Sequence, residues 1–217
     1  MTLNAEDVAY WYLRLNGFLC LRNFLVHGDT GGEVRTEIDV VGVRFKHRRE
    51  HFRDPMIDDD WIEQTKRTIV VFCDAKTGAR DINLPWQNRE RKTMESFLAF
   101  VGIFPREVWD RVASELYTNG RSESCPDVLI TCLLVHHDPQ RLVSPRWNST
   151  QVIQIERALS FIHRRFRGYR SIKRSHDQWE PSGNTLWDLY ELHRRSERAF
   201  VTAGLAAIGA QQSGPSL

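Results

Sequence analysis

The chain carries almost no net charge. Thirty Lys and Arg stand against 28 Asp and Glu, leaving +2 over 217 residues. A uniformly basic coat for nucleic acid is therefore excluded, and any such surface must come from local clusters. Cysteine is scarce: Cys20, Cys73, Cys125 and Cys132 include no CxxC pair. That spacing argues against a disulfide framework. Cys73 and Cys132 fall inside apolar, strand-like runs, where a free thiol acts as a small hydrophobe in a reducing cytosol. No apolar run approaches membrane-spanning length. The opening MTLNAEDVAYWYLRLNG puts acidic residues before its apolar stretch and has no basic leader region. The expected setting is cytoplasmic, without a membrane partner. Internal repeats, a Walker loop, GxGxxG and a GxSxG elbow are all missing. The histidines offer no zinc set. His47 and His51 lie in a charged, Pro-containing loop, and His136-His137-Asp138 ends a strand and reads as a turn.

What is present is a core. Hydrophobic residues make up 41% of the chain, with seven Trp and eleven Phe, which argues against disorder. The length suggests one domain with elaborations. Asn4 caps a first helix with Asp7 three residues on, and Val8, Trp11, Tyr12 and Leu15 share a face. Asn16-Gly17 ends it. Residues 18–27 and 34–46 read as strands around a Gly-rich turn. Residues 47–67 are charged and irregular, and read as a surface insertion. Residues 68–76, TIVVFCDAK, form a third strand. A helix is expected to open at Trp86-Gln87-Asn88 and to bury Met94, Phe97, Leu98 and Val101; a short one follows Pro105. Residues 127–135 form a fourth strand. Residues 151–167 start extended and become helical, and one last helix spans roughly 184–200 through Leu186, Trp187, Tyr190 and Leu192. The expected fold class is mixed α/β (α+β): a central sheet in the order αβββαβ with extra C-terminal helices. Residues 1–140 form the core and 141–217 a helical extension packed on it. The apolar start of the tail can dock on the body or form part of a homodimer contact.

The chemistry lies on two strands. Side chains alternate along a strand, so Val70, Phe72, Asp74 and Lys76 share one face. Opposite charges appear there where the core ends, and buried charge is costly unless paired or metal-bound. Asp39 interrupts the apolar run EIDVV, where an Asp is a poor strand former. If the strands pair, Asp39 and Asp74 converge. Two adjacent carboxylates repel, and a divalent cation between them removes that penalty; oxygen ligands suit Mg²⁺ or Mn²⁺. Such a cation activates water and neutralises phosphate charge, and Lys76 can orient or help deprotonate the water and stabilise the transition state. The competing reading is a structural Asp–Lys ion pair at a strand end.

Glu6, then Glu37-Ile38-Asp39, then Asp74-Ala75-Lys76 resemble the PD-(D/E)XK, restriction-endonuclease-like superfamily, and more closely its Holliday-junction-resolvase-like small nucleases. The likeness covers residues 5–101 and extends more weakly to 135. The motif carries Asp where Glu is commoner, and the 47–67 insertion lengthens the gap between Asp39 and Asp74. The resemblance implies a Mg²⁺-dependent endonuclease cutting DNA, in defence, restriction or repair. It implies Asp39, Asp74 and the Ala75 carbonyl as metal ligands, Lys76 as the catalytic lysine, and Glu6 as a further ligand, directly or through water. Glu6 in a first helical turn also serves the helix dipole, and Glu37 near a strand start suits solvent. Other readings are a silent nuclease-like DNA-binding or assembly module, and a nuclease acting on RNA.

Weaker signals concern DNA contact. Gln87 and Lys92 follow the motif strand, where a helix start could meet phosphate. Arg164, Arg165, Arg167, Arg170 and Lys173, with Arg174, interleave with Phe166 and Tyr169, a pattern that suits a nucleic-acid backbone and unstacked bases. A solvated helix face explains the same run. Arg44, Lys46, Arg48 and Arg49 form a second candidate contact.

Overall fold

TIVVFCDAK has no charged residue before Asp74, and it forms the middle of the sheet. The computed structural model describes residues 3–28, 34–51, 53, 55–77, 84–137, 147, 149–173 and 179–209. Strand β3 (Thr68–Lys76) pairs antiparallel with β2 (Val34–Arg44) and parallel with β5 (Val128–His136). Strand β1 (Leu19–His27) borders β2, and β4 (Arg121–Cys125) borders β5, both antiparallel. Strand β6 (Gln151–Gln154) pairs parallel with the end of β5. The sheet runs β1-β2-β3-β5-β4, with β6 beside β5.

The expected mixed α/β class is what is seen, with helices on both faces. Helix α1 (Ala5–Leu15), α5 (Ile155–Lys173), α6 (Pro181–His193) and α7 (Glu197–Gly209) share one core with Val40, Val71, Cys73 and Val135. Helices α3 (Thr93–Val101) and α4 (Trp109–Asn119) cover Val41, Val70, Phe72 and Leu134 on the other face. Helix α1 forms as its sequence requires. Asn4 accepts from the Asp7 N–H at 2.7 Å, and Asp7 accepts from the Asn4 N–H at 3.0 Å. Gly17 then takes a φ of +82° and ends the helix. At the α1–α6 contact Gly183 lies against the Trp11 ring, where a methyl group would overlap it. Gly183→Ala is expected to cost about 1–3 kcal/mol by overpacking, read as a lowered Tm in thermal melts.

Several sequence expectations need correction. Residues 47–67 are largely irregular, as expected, but they do not lie wholly in solvent. They include a short helix, α2 (Asp60–Glu63), and bury two acids. Asp58, 5% exposed, accepts from Arg44 at 2.5 Å and Arg165 at 2.6 Å, with Arg48 at 3.5 Å. Asp59 is equally buried and takes Arg157. These pairs tie the segment to β2 and α5, which linear reading of a charged stretch does not reveal. No α-helix opens at Trp86. Two 3₁₀ turns, Leu84–Gln87 and Arg89–Arg91, precede α3. The single helix expected over 184–200 is two, because Ser196 caps α7 by accepting from the Ala199 N–H at 3.2 Å. Leu192, counted toward an apolar face, is 77% exposed. Residues 151–167 start extended and become helical, as expected, and the extended start, β6, joins the sheet beside β5. The end of the tail, 210–217, lies outside the described residues. Strand β4 was missed because its residues, RSESC, carry no apolar alternation. Among the described residues no helix is long and apolar enough to cross a membrane, and all four cysteines are free.

Candidate metal centre

The sheet forks at Asp39. Strands β1 and β2 stay paired from Leu19↔Val43 out to His27↔Val34, but β2 and β3 pair only from Arg44↔Ile69 to Val40↔Cys73. Beyond that point the β1–β2 hairpin leaves β3, and its next residue is Asp39. Facing it across β1, between Arg22↔Val40 and Phe24↔Ile38, stands Asn23 with a φ of +51°. Asn tolerates this left-handed conformation better than most residues, and an irregularity there turns a strand. Period two fails across this point. Ile38 packs with the α3–α4 core, whereas Val40, two residues on, faces α1.

Asp39 bridges the fork. Its Oδ2 accepts from the Ala75 N–H at 2.7 Å. The N–H and C=O of one strand residue point to the same side, so the Ala75 carbonyl also faces the fork. Asp74, 4% exposed, lies 2.6 Å from the Lys76 ammonium. Thus Asp39, Asp74, Ala75 and Lys76 come together, as strand pairing predicted. Glu6, on the first turn of α1, is half-buried and within electrostatic reach of Lys76, Asp39 and Glu37. Glu37 itself is exposed.

The charges are not balanced. Burial pushes the Asp39 carboxyl up to about 7; the Ala75 N–H pulls it down, while Asp74 and Glu6 add repulsion. Burial likewise raises Glu6, opposed by Arg22 and reinforced by Glu37. Burial alone would lower Lys76, but Asp74, then Asp39 and Glu6, hold it above its ordinary value. A lysine held in this way keeps its positive charge near neutral pH.

A carboxyl held near neutrality beside a second carboxylate is a site short of positive charge. A divalent cation would supply it. Among the described residues no group of three or more His, Cys, Asp or Glu is placed to hold a metal. The oxygens at the fork that could take a hard cation are those of Asp39, Asp74 and the Ala75 carbonyl, with water completing its shell.

This imbalance predicts a pH effect on stability. The folded Asp39 binds its proton more tightly than the unfolded chain. The stabilisation is full below about 3.8 and is lost as pH rises through about 7. Asp39→Asn should therefore raise metal-free stability at pH 8, by on the order of 1–2 kcal/mol after allowing for partial exposure, and change it little at pH 4. Melts of both proteins at the two pH values check this. A mutant less stable at pH 8 would contradict it.

Other candidates fall elsewhere. Gln87 is half-buried on its 3₁₀ turn, beside the fully packed Trp86. Helix α5 starts where β6 ends beside His136 and runs away from the fork, so its basic stretch begins ~14 Å down the helix. Arg165 is 4% exposed and spent on Asp58, and thus removed from DNA contact. Arg164 pairs Glu197 at 3.3 Å and Arg170 pairs Glu191 at 3.4 Å. Phe166 and Tyr169 are buried, so neither is placed to stack on a base. Arg167 is exposed; the Lys173 side chain and Arg174 lie outside the described residues. Arg44 and Arg48 hold Asp58, and Lys46 holds Asp127 at 2.7 Å. His136 ends β5, as expected of a residue closing that strand, and it is buried in register with Lys76. Only the pairing of β5 with β3 reveals that register. No family model, curated protein or solved structure matches the chain.

Proposed function

We propose that the chain is a Mg²⁺- or Mn²⁺-dependent endonuclease of the PD-(D/E)XK kind that hydrolyses DNA phosphodiester bonds. The observation that carries this reading is the fork itself. It brings two carboxylates, a backbone carbonyl and a protonated lysine to one point at the end of the core. A structural Asp–Lys pair accounts for Asp74 and Lys76, but not for a second carboxyl held near neutrality beside them.

Asp39, Asp74 and the Ala75 carbonyl would hold the cation. When bound, the cation lowers the pKa of water and offsets charge on the phosphate. Asp39 would hold the cation as a carboxylate, and its position is kept by the Ala75 N–H. Lys76, held by Asp74, places a positive charge where the pentavalent phosphorus gathers negative charge. Water adds to phosphorus in line, the P–O3′ bond breaks, the phosphate stays on the 5′ end and the 3′ oxygen leaves as a hydroxyl. Glu6 would be a further ligand, directly or through water.

The test is a substrate panel: supercoiled plasmid, linear duplex, single-stranded DNA and RNA, with Mg²⁺, Mn²⁺ or EDTA. Metal-dependent cutting of DNA is expected. Cutting confined to RNA would move the substrate class, and duplex binding without any cutting would leave a DNA-binding module.

A further inference from the structure

We propose that the DNA backbone flanking the cut is held by a cationic rim on the α3 side of the β1–β2 hairpin, formed by Arg35, Arg91, Lys92 and Arg106. This rests on the DNA-hydrolase reading and names the path its substrate takes.

Many of the chain's cations are already neutralised within the protein. On α5, Arg157, Arg164, Arg165 and Arg170 each have a carboxylate partner inside the protein. Among the described residues, Arg35, Arg91, Lys92 and Arg106 form no ion pair. Arg35 is engaged by uncharged groups, donating to the Lys92 carbonyl at 3.0 Å and the Ser96 hydroxyl at 2.5 Å. Its charge is thus oriented but not cancelled. Arg91 donates to the Arg35 carbonyl at 3.4 Å, and Arg91, Lys92 and Arg106 are exposed.

Backbone geometry points to the same place. Lys92 joins the second 3₁₀ turn to α3 with a φ of +50°, in the left-handed region. A lysine pays for that conformation, and the Arg35 guanidinium on its carbonyl helps to hold it. Packing alone does not call for a lysine here, since its side chain is exposed.

Position completes the case. Arg35, Lys92 and Arg106 line one cavity of about 400 Å³. Two acids line it too. Glu95 is taken by the Tyr117 hydroxyl at 2.7 Å, and Asp110 opens α4 in solvent. Three cations against two acids, with Arg91 alongside, leave the rim positive. Arg35 precedes Asp39 by four residues on one strand, ~13 Å. Each DNA strand carries a phosphate every ~3.4 Å of axis, so a backbone cut at Asp39 passes the rim about four base pairs away.

The test compares two charge-reversal variants by anisotropy of a fluorescein-labelled linear duplex, with EDTA present so that nothing is cut. One combines Arg91→Glu, Lys92→Glu and Arg106→Glu. The other combines Arg164→Glu and Arg167→Glu. Arg35 is left intact because it holds the 3₁₀–α3 junction, and circular dichroism confirms both folds. The rim variant should lose at least about ten-fold in affinity, and its slope of log K against log salt should shrink by about 3. The α5 variant should bind within about two-fold of the parent. Equal binding by the rim variant, a greater loss in the α5 variant, or no duplex binding by the parent protein would each overturn the rim. Cutting is scored separately in Mg²⁺. A protein that binds through the rim but never cuts supports the rim and overturns the hydrolase reading.

Discussion

Lys76→Ala is expected to lower metal-dependent DNA cutting by at least about 10²–10³-fold while leaving the fold intact. The ammonium lies 2.6 Å from Asp74, and three carboxylates hold its proton on, so it acts as a fixed charge at the fork. Removing it takes away charge that matters most when the phosphorus gathers negative charge, so kcat should fall more than KM rises. The same change leaves Asp74 and Asp39 repelling without a local cation. Divalent metal should therefore bind at least as tightly to Lys76→Ala as to the parent, because the site loses its competing charge. Initial rates of plasmid nicking across Mg²⁺ concentrations separate the two effects. Unchanged cutting by Lys76→Ala would remove the lysine from the site.

The second large effect is on stability. Asp58→Ala is expected to cost about 3–5 kcal/mol, because it strands buried arginines without a counter-charge. Arg44 and Arg165 are both buried, and each donates to Asp58. Arg165 already leaves one buried guanidinium nitrogen without a partner, and would keep the uncharged Ile57 carbonyl at 3.1 Å. Arg44 keeps only the Asn16 carbonyl at 3.0 Å. The loss should appear as a lower midpoint in urea melts, with cutting by the folded fraction retained. Asp58→Asn should cost less, since the amide oxygen still accepts a bond. A stability change below about 1 kcal/mol for Asp58→Ala would show that these arginines find water instead.

The contrast between these two residues explains what could be read from the chain in advance. Asp39, Asp74 and Lys76 are legible because each breaks a local pattern: a charge inside an apolar strand has few structural reasons to be there. The α1 cap and β3 are legible for the opposite reason, since each follows a local pattern that spacing alone specifies. Asp58 is not, because one acid among Asp58, Asp59 and Asp60 looks like solvent-facing charge until Arg44 and Arg165 are brought to it from β2 and α5. The DNA-contact reading of 163–174 failed at Arg165 by the same route. Counting cations along a helix does not show which have partners, and Phe166 and Tyr169 proved to be core. The break at Ser196 is a cap hidden inside a continuous periodicity. The fork depends on where two ladders end, and Asn23 marks it with a backbone angle that composition does not predict.

The proposed centre requires Asp39 and Asp74 to hold a cation together. Mn²⁺ binding, followed by electron paramagnetic resonance of the free ion at neutral pH, tests this without reference to any substrate. The parent protein should take up Mn²⁺, Mg²⁺ should displace it, and both Asp39→Asn and Asp74→Asn should weaken uptake at least about ten-fold while remaining folded. Uptake by the parent that both variants retain, or no uptake by the parent, would contradict the metal centre.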